Sequence, residues 1–469
     1  MIRHYTPVEV AHALAKHAPR RMSSLLEPAV GTGFLLRPFE KLCQESLERI
    51  VCIDTDAEAL EEVTSRFAAA GKRFEPICAD FLQWSAPESS ARTRALFDCI
   101  LMNPPFAGRR NCFVELNLAT EVPGIGSGSK KVPTEIAFVL RSIELLKAGG
   151  RLLAVVPSSL VSSISTTWVR NYLMVSGSVR YVHELPSFTF KGVEARVYLF
   201  VFEKSLDKRS VVLCNHDLAR PLILKVATSH LISWPRFDYR FHDALRKYEM
   251  VKNSSSHLEW KPVSDLASVH RGAMNSPEGA RHSLHTCDYQ HGFWRLKDEK
   301  KKIHKDVTER RVKRGDLLIK RVGRRCSLSL GKVVGHIGDS TSDCILTVRA
   351  REPATSTALL FGLRIILTSE FGQPLIECAT GASYLTERGL LQTLVPTKLK
   401  EFYKPFLCNY AKAASRRDFC KMVRIEKQVR DLILANRTWL DKQDPANCSQ
   451  KVTAAPSRPQ ESIPAQTKR

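Results

Sequence analysis

Leu25-Leu26-Glu27-Pro28-Ala29-Val30-Gly31-Thr32-Gly33-Phe34-Leu35 reads as a short apolar strand, a glycine turn and the start of a helix. Without a Cβ at Gly31 and Gly33, the backbone there can approach a nucleotide-like ligand closely. An ordinary strand–helix turn uses the same pattern, so its neighbours must decide. Further apolar runs follow at Arg49–Asp54, Arg73–Ala79, Leu96–Met102, Arg151–Val156, Val179–Leu185 and Ala195–Glu203. Helical patterns occupy Ala57–Ala70 and Glu135–Leu146, and another, Val8–His17, precedes the first strand. Strands alternating with helices from residue 22 to 204 specify a largely parallel α/β sheet. Pro186–Glu194 joins the last two runs as a hairpin, which predicts one antiparallel strand at the sheet's edge.

The alternation weakens after Glu203. At 469 residues the chain exceeds one ordinary core. The expected division is a first domain over 1–204, a connector over 205–260 and a second domain of mixed strands and helices over 261–435. The tail 441–469 is too poor in apolar residues to offset chain entropy and is expected to stay disordered. The 71 Lys and Arg outnumber 48 Asp and Glu, a net charge of +23. Such an excess favours a polyanionic partner, nucleic acid first, over a merely soluble basic protein. Thirteen cysteines with no CxxC pair indicate neither a disulfide framework nor a zinc site, and no other metal site stands out. Met1-Ile2-Arg3-His4-Tyr5 lacks an apolar leader and no run reaches membrane-span length, so a soluble cytoplasmic protein is expected.

Chemistry concentrates at the strand ends. Asp54 closes one strand where a carboxylate can accept both hydroxyls of a ribose. Asp56 suits the start of the following helix. Asp80 could accept from an adenine amine while Phe81 covers the ring, although either terminal Asp is equally suited to cap a helix. Just past Phe97–Met102 stands Asn103-Pro104-Pro105-Phe106. The strand delivers an amide, a backbone carbonyl ahead of a proline and an aromatic ring to one point. The two prolines remove donors and stiffen the turn, leaving its carbonyls free to accept from a ligand.

Tyr5-Thr6-Pro7, the Glu27–Gly33 loop, Asp54, Asp80-Phe81 and Asn103–Phe106 occur in the order found in amino-directed DNA methyltransferases, and the chain resembles their gamma-class N6-adenine members. The resemblance implies a Rossmann-like class I methyltransferase sheet, S-adenosylmethionine as cofactor and double-stranded DNA as substrate, and leaves room for a separate cognate restriction endonuclease. It places Tyr5 and Thr6 over the methionine end of the cofactor, and Glu27, Ala29, Gly31 and Gly33 against its amino-acid portion. Asp54 falls to the ribose, and Asp80 and Phe81 to the adenine. The catalytic site falls to Asn103, Pro104, Pro105 and Phe106. Phe188, with Phe190 as its competitor, would stack on the opposite face of a flipped-out base. Arg109 and Arg110 lie in the stretch Ala107–Pro133, read either as a flexible segment that orders on DNA or as a solvated insertion.

Residues 291–325 hold fourteen Lys and Arg against five Asp and Glu. Lys300, Lys301, Lys302, Arg321 and Arg324 are therefore expected to contact phosphates. Lys313–Gly323 resembles the Gly-Asp, apolar strand, Arg-x-Gly pattern of target-recognition domains in type I specificity subunits, and Ala379–Leu385 with Leu391–Pro396 resembles that module's second half. This implies a C-terminal α+β target-recognition domain. Other readings stay open: methylation of RNA, of a protein glutamine or of cytosine N4, and a non-catalytic DNA-binding protein on a methyltransferase scaffold.

Overall fold

A computed structural model describes residues 6–41, 47–68, 73–86, 96–106, 113–122, 126–186, 189–190, 196–205, 207, 210–255, 258–272, 284–295, 311–323, 326–334, 340–369, 372, 374, 378–379 and 383–441. Tyr5, Arg109, Arg110, Phe188, Lys300, Lys301, Lys302 and Arg324 lie outside them, as does the tail beyond Asp441.

Among the described residues, the strands up to Val226 are β1 (Ser24–Glu27), β2 (Arg49–Asp54), β3 (Phe74–Cys78), β4 (Phe97–Met102), β5 (Phe113–Val122), β6 (Gly126–Pro133), β7 (Leu146–Pro157), β8 (Ser178–Glu184), β9 (Val197–Glu203), β10 (Val211–Cys214) and β11 (Ile223–Val226). Nine form one sheet in the order β11-β10-β8-β9-β7-β4-β1-β2-β3. The run β3-β2-β1-β4-β7 is parallel throughout. This is the expected Rossmann-like α/β sheet. Its central strands are buried along their length, which is why they read as continuous apolar runs rather than alternating ones.

Three sequence expectations are corrected. The antiparallel strand β9 is not at the edge: it pairs with β7 on one side and β8 on the other. The predicted connector adds β10, parallel to β8, and β11, antiparallel to β10. A hairpin signal gives a strand's direction but not which free edge it takes, and here β9 fills the gap between β7 and β8. The stretch after Arg110 contains a β-hairpin rather than a loop: β5 and β6 pair from Phe113↔Pro133 to Val122↔Gly126. Leu116 and Val132 anchor it in the core.

Asp98 fixes the ends of β1 and β4 where they begin. Its Oδ2 accepts from the amides of Ser23 and Ser24 at 2.9 and 3.0 Å and from their hydroxyls at 3.0 and 2.9 Å. Lys147 Nζ adds a fifth bond at 3.0 Å. The two strands that carry the glycine turn and the Asn-Pro-Pro-Phe segment are thus held in register from below.

The second unit is built on a six-stranded sheet that includes the strands Ala267–Arg271, Leu317–Lys320 and Ile345–Ala350. The helices Ser356–Leu367, Lys404–Ser415 and Phe419–Asp441 contribute to the same core. Inside it Arg364 Nε donates to Glu426 Oε1 at 2.5 Å, and Tyr410 donates its hydroxyl to the same oxygen at 2.8 Å. The helix Tyr239–Ser254 joins the two units. Arg240 at its start pairs with buried Glu184 on β8, while Ala244, Tyr248 and Val251 sit in the second core. Among the described residues, no helix is long and apolar enough to cross a membrane.

Burial alone pushes the Asp98 carboxyl upward, but the Ser23 amide, the Lys147 ammonium and the two serine hydroxyls hold it well below the usual carboxylate range. A carboxyl depressed by folding stabilises the native state above its unfolded pKa of about 3.9, and that contribution fades as pH falls toward the folded value. Asp98→Asn is expected to cost about 1 kcal/mol at pH 7 by urea unfolding, the staple being partly solvated. The gap from the parent should narrow steadily below about pH 4.

Candidate active site

Adjacent parallel strands end on the same side of a sheet, so the order β3-β2-β1-β4 brings Asp80, Asp54, the Glu27–Gly33 turn and Asn103 to neighbouring positions. Asn103 also meets Thr6, 97 positions earlier, which stands just ahead of the helix Val8–Ala15. The glycine turn is locked to β2 by its own backbone. Gly31 N donates to Asp54 Oδ2 at 2.7 Å, and Val30 N donates to the carbonyl of Ile53 at 3.1 Å. Asp54 Oδ1 accepts from the amide of Asp56 at 3.0 Å. A carboxylate has about four acceptor positions, so these bonds leave Asp54 capacity for a ligand.

The two glycines have different tasks. Both lie in the left-handed region, Gly31 at φ +49° and Gly33 at φ +69°. A Cβ on Gly31 would meet nothing within 4 Å, so the space above it is open. A Cβ on Gly33 would lie 3.0 Å from Val63 Cγ2 on the helix Ala57–Arg66. Gly33 therefore serves turn geometry and close packing of the helix against the turn. The helix expected to begin at Phe34 is a turn leading into a 3-10 turn at Arg37–Phe39. Arg66 closes the arrangement, donating Nη1 to the carbonyl of Thr32 at 2.8 Å. Arg66 also pairs with Glu62 four residues earlier, and from sequence this looks like an ordinary surface ion pair.

Glu27 ends β1 with 1% of its surface exposed. Burial, and then the negative charge of Asp54, push its carboxyl well above the usual range. Its Oε2 has no hydrogen-bond partner among the described residues, and neither has the hydroxyl of Thr32 in the same turn. A buried acid beside a second carboxylate, with an unmet acceptor, suits a cationic ligand with N–H donors. The ammonium of S-adenosylmethionine fits that description, with the sulfonium as a second positive charge, and Glu27, Thr32 and Gly31 would hold that portion. Ala29 is partly buried in the same loop.

Asp80 caps the helix Phe81–Trp84, its Oδ1 accepting from the amides of Leu82 and Gln83 at 2.7 and 3.2 Å. It remains exposed, with Oδ2 outside this cap. Phe81 does not present a ring face. It is 2% exposed and lies 4.9 Å from the ring of Phe138 in the core, so its expected role as a cover for adenine is corrected. Asp56 caps the helix that follows it, as its position suggested.

At the end of β4, Asn103 is half-buried, Pro104 buried, Pro105 exposed and Phe106 half-buried against an apolar cluster that includes Leu185 and Phe190. Asn103 Nδ2 donates to Thr6 Oγ1 at 3.0 Å. Phe190 is a core residue at 5% exposure, which leaves Phe188 as the aromatic to consider for the second face of a base. Glu135 is buried in the first turn of the helix Thr134–Glu144 and accepts from the Ser159 hydroxyl at 3.1 Å. Sequence reading passed over it because an acid in a first turn is common as dipole compensation.

In the second unit, Asp316 is buried and held by Arg349 through two bonds of 2.8 Å. Arg321 donates Nε to the carbonyl of Asp343 at 2.7 Å. It is therefore part of the scaffold rather than a free phosphate ligand, a correction that reflects how a cation on a strand end finds the nearest loop. Its carbonyl accepts from Leu385 N at 2.7 Å, and Val322 bridges to Tyr384, so these two stretches of the chain meet.

Residues 3–221, just under half of the chain, match the family model for N-6 DNA methylases. The chain is 24% identical over 224 residues to the type II methyltransferase M.AccI of Acinetobacter calcoaceticus, covering 45% of this chain and 36% of that protein. It is 28% identical over 183 residues to the type II methyltransferase M.TthHB8I of Thermus thermophilus, covering 38% and 39%. The chain thus spans little more than a third of the length of these curated relatives. Among solved structures it is similar to the type IIG restriction endonuclease BpuSI at 13% identity and a TM-score of 0.42, over 92% of this chain and 65% of that one.

A carboxyl raised by folding binds its proton more tightly in the native state, so ligand-free stability falls as pH rises above about 4.3. Glu27→Gln removes that loss. The variant is expected to melt several degrees above the parent at neutral pH without ligand, the two converging below about pH 4, as read by calorimetry.

Proposed function

We propose that this chain is a site-specific DNA methyltransferase, gamma-class in its motif order, that methylates the N6 amine of a flipped-out adenine using S-adenosylmethionine. The observation that carries the reading is the placement of Asn103 at the end of β4, beside a glycine turn whose buried Glu27 has an Oε2 with no hydrogen-bond partner among the described residues. The match of residues 3–221 to N-6 DNA methylases supports it, as does the likeness to two type II methyltransferases.

The amine of adenine delocalises its lone pair into the ring and is a poor nucleophile. Asn103 Oδ1 and the carbonyl of Pro104 can accept its two hydrogens, which favours a more tetrahedral nitrogen with its lone pair directed out of the ring plane. Bound S-adenosylmethionine supplies the electrophilic methyl. No strong base is needed beforehand, because the nitrogen sheds its proton after alkylation. Catalysis then rests on orientation and electrostatic placement. Pro105 and Pro104 keep the peptide carbonyls free of internal donors.

Inside a duplex the amine is out of reach, so the base is extruded at a cost of a few kcal/mol. Stacking on Phe106 and Phe188 offsets part of this, about 1–3 kcal/mol per ring as in single-strand binders. Target choice falls to the second unit, read as a target-recognition domain like those of type I specificity subunits, with Lys300, Lys301 and Lys302 on phosphates. A separate cognate endonuclease remains a compatible partner.

Purified protein incubated with plasmid DNA and methyl-labelled cofactor, followed by digestion to nucleosides, is expected to place label in N6-methyldeoxyadenosine. Label confined to RNA, to 4-methylcytosine or to protein would overturn the substrate. Asn103→Ala should lower kcat by at least about 100-fold while cofactor binding, measured by calorimetry, is retained. Reversing the charges of Lys300, Lys301 and Lys302 should weaken duplex binding and flatten its dependence on salt, and an unchanged slope would remove them from the interface.

A further inference from the structure

An asparagine amide is nearly symmetric in shape, yet only one of its two ends can help a substrate amine. Turned one way, Oδ1 faces the site and accepts a hydrogen from the amine. Turned by half a rotation about χ2, Nδ2 faces the site and opposes donor to donor. Nothing in the Asn-Pro-Pro-Phe segment itself chooses between these states, because Pro104 and Pro105 have no backbone N–H to hold Oδ1 or to restrain the side chain.

The choice is made from outside the segment. Thr6 is 6% exposed and places its hydroxyl oxygen 3.0 Å from Asn103 Nδ2. Thr6 is itself held firmly, because Pro7 follows it and caps the helix Val8–Ala15, accepting from Val10 N and Ala11 N at 3.1 Å each. That helix buries Val10, Ala11 and Leu14 in the apolar cluster that also packs against Phe106. The hydroxyl is therefore anchored to the same cluster as the catalytic segment.

We propose that Thr6 is a positioning residue for the transfer: by accepting from Asn103 Nδ2, it fixes the amide with Oδ1 directed to the substrate amine. This rests on the function proposed above, and goes beyond the cofactor contact that the motif order implies for Thr6. A threonine is suited to the task because its oxygen accepts while its β-branched side chain admits few rotamers.

The test compares Thr6→Val, which keeps the shape and removes the acceptor, with Thr6→Ser, which keeps the acceptor. Thr6→Val is expected to lower kcat by roughly ten- to a hundredfold, with the dissociation constant for S-adenosylmethionine unchanged, and Thr6→Ser to restore most of the rate. In an Asn103→Ala background, Thr6→Val should cause no further loss. With selectively ¹⁵N-labelled asparagine, the side-chain amide of Asn103 (assigned through Asn103→Ala) should lose its exchange protection in Thr6→Val and keep it in Thr6→Ser. Weakened cofactor binding at an unchanged kcat would assign Thr6 to the cofactor and overturn the proposal. So would equal losses in both variants, or amide protection that Thr6→Val leaves intact. A parent protein that transfers no methyl to DNA, with the Asn103 amide still protected, would instead sink the functional reading on which the proposal rests.

Discussion

The bond from Gly31 N to Asp54 Oδ2 is the constraint on which the site depends. It ties the turn after β1 to the end of β2, so the glycine loop cannot drift from the strand beside it. With the turn fixed, Glu27 stays buried at the end of β1, and the open space above Gly31 faces the site. The same carboxylate also accepts from Asp56 N, which sets the start of the next helix. One side chain thus determines a loop, a helix entry and the local charge that pushes Glu27 toward its protonated form.

Charge and burial at the site act against each other. Two acids held close together in a low-dielectric setting repel, and the ligand-free fold tolerates this only by keeping Glu27 protonated more readily than it would be in water. A cation with N–H donors relieves both the repulsion and the unmet acceptor. The site is therefore less stable empty than filled, and its affinity draws on that difference. Asn103, by contrast, gains its orientation from Thr6 without any charge. The two halves of the site are tuned by different means, one by electrostatics and the other by the direction of a single amide.

Much of this was readable before any coordinates. The sheet strands from Ser24 to Glu203 are legible because buried strands write themselves as continuous apolar runs, whereas the hairpin Phe113–Pro133 carries no such run, and four of the site positions sit at strand ends that follow directly. What could not be read was order across the sheet. The sequence of Val197–Glu203 shows a strand reversing direction but not that it slots between β7 and β8. Side-chain commitments were also hidden. Phe81 and Phe106 look alike in sequence as aromatics after a strand, but Phe81 starts a helix and is buried against Phe138, whereas Phe106, following two prolines, stays half-buried beside the cluster of Leu185 and Phe190. Arg321 sits in a basic run suggesting phosphate contact, and only the fold places the Asp343 carbonyl beside it. The Asp98 staple joins residues 75 positions apart and has no local signal at all.

The helix Tyr239–Ser254 belongs to both cores. Its first turn holds Glu184 through Arg240, and further along Tyr248 donates its hydroxyl to the carbonyl of Leu394 at 2.9 Å. Any cleavage of the chain between its two units must therefore sever a helix that both of them hold. Ending the polypeptide at Glu203 would strip β10, β11 and the buried ring of Phe237 from the apolar cluster of the sheet, leaving the edge of β8 and the apolar surface beneath it open to solvent. Dissection for experiment or for engineering should keep this helix whole, because one end of it is tied to the first sheet and the rest is buried in the second core.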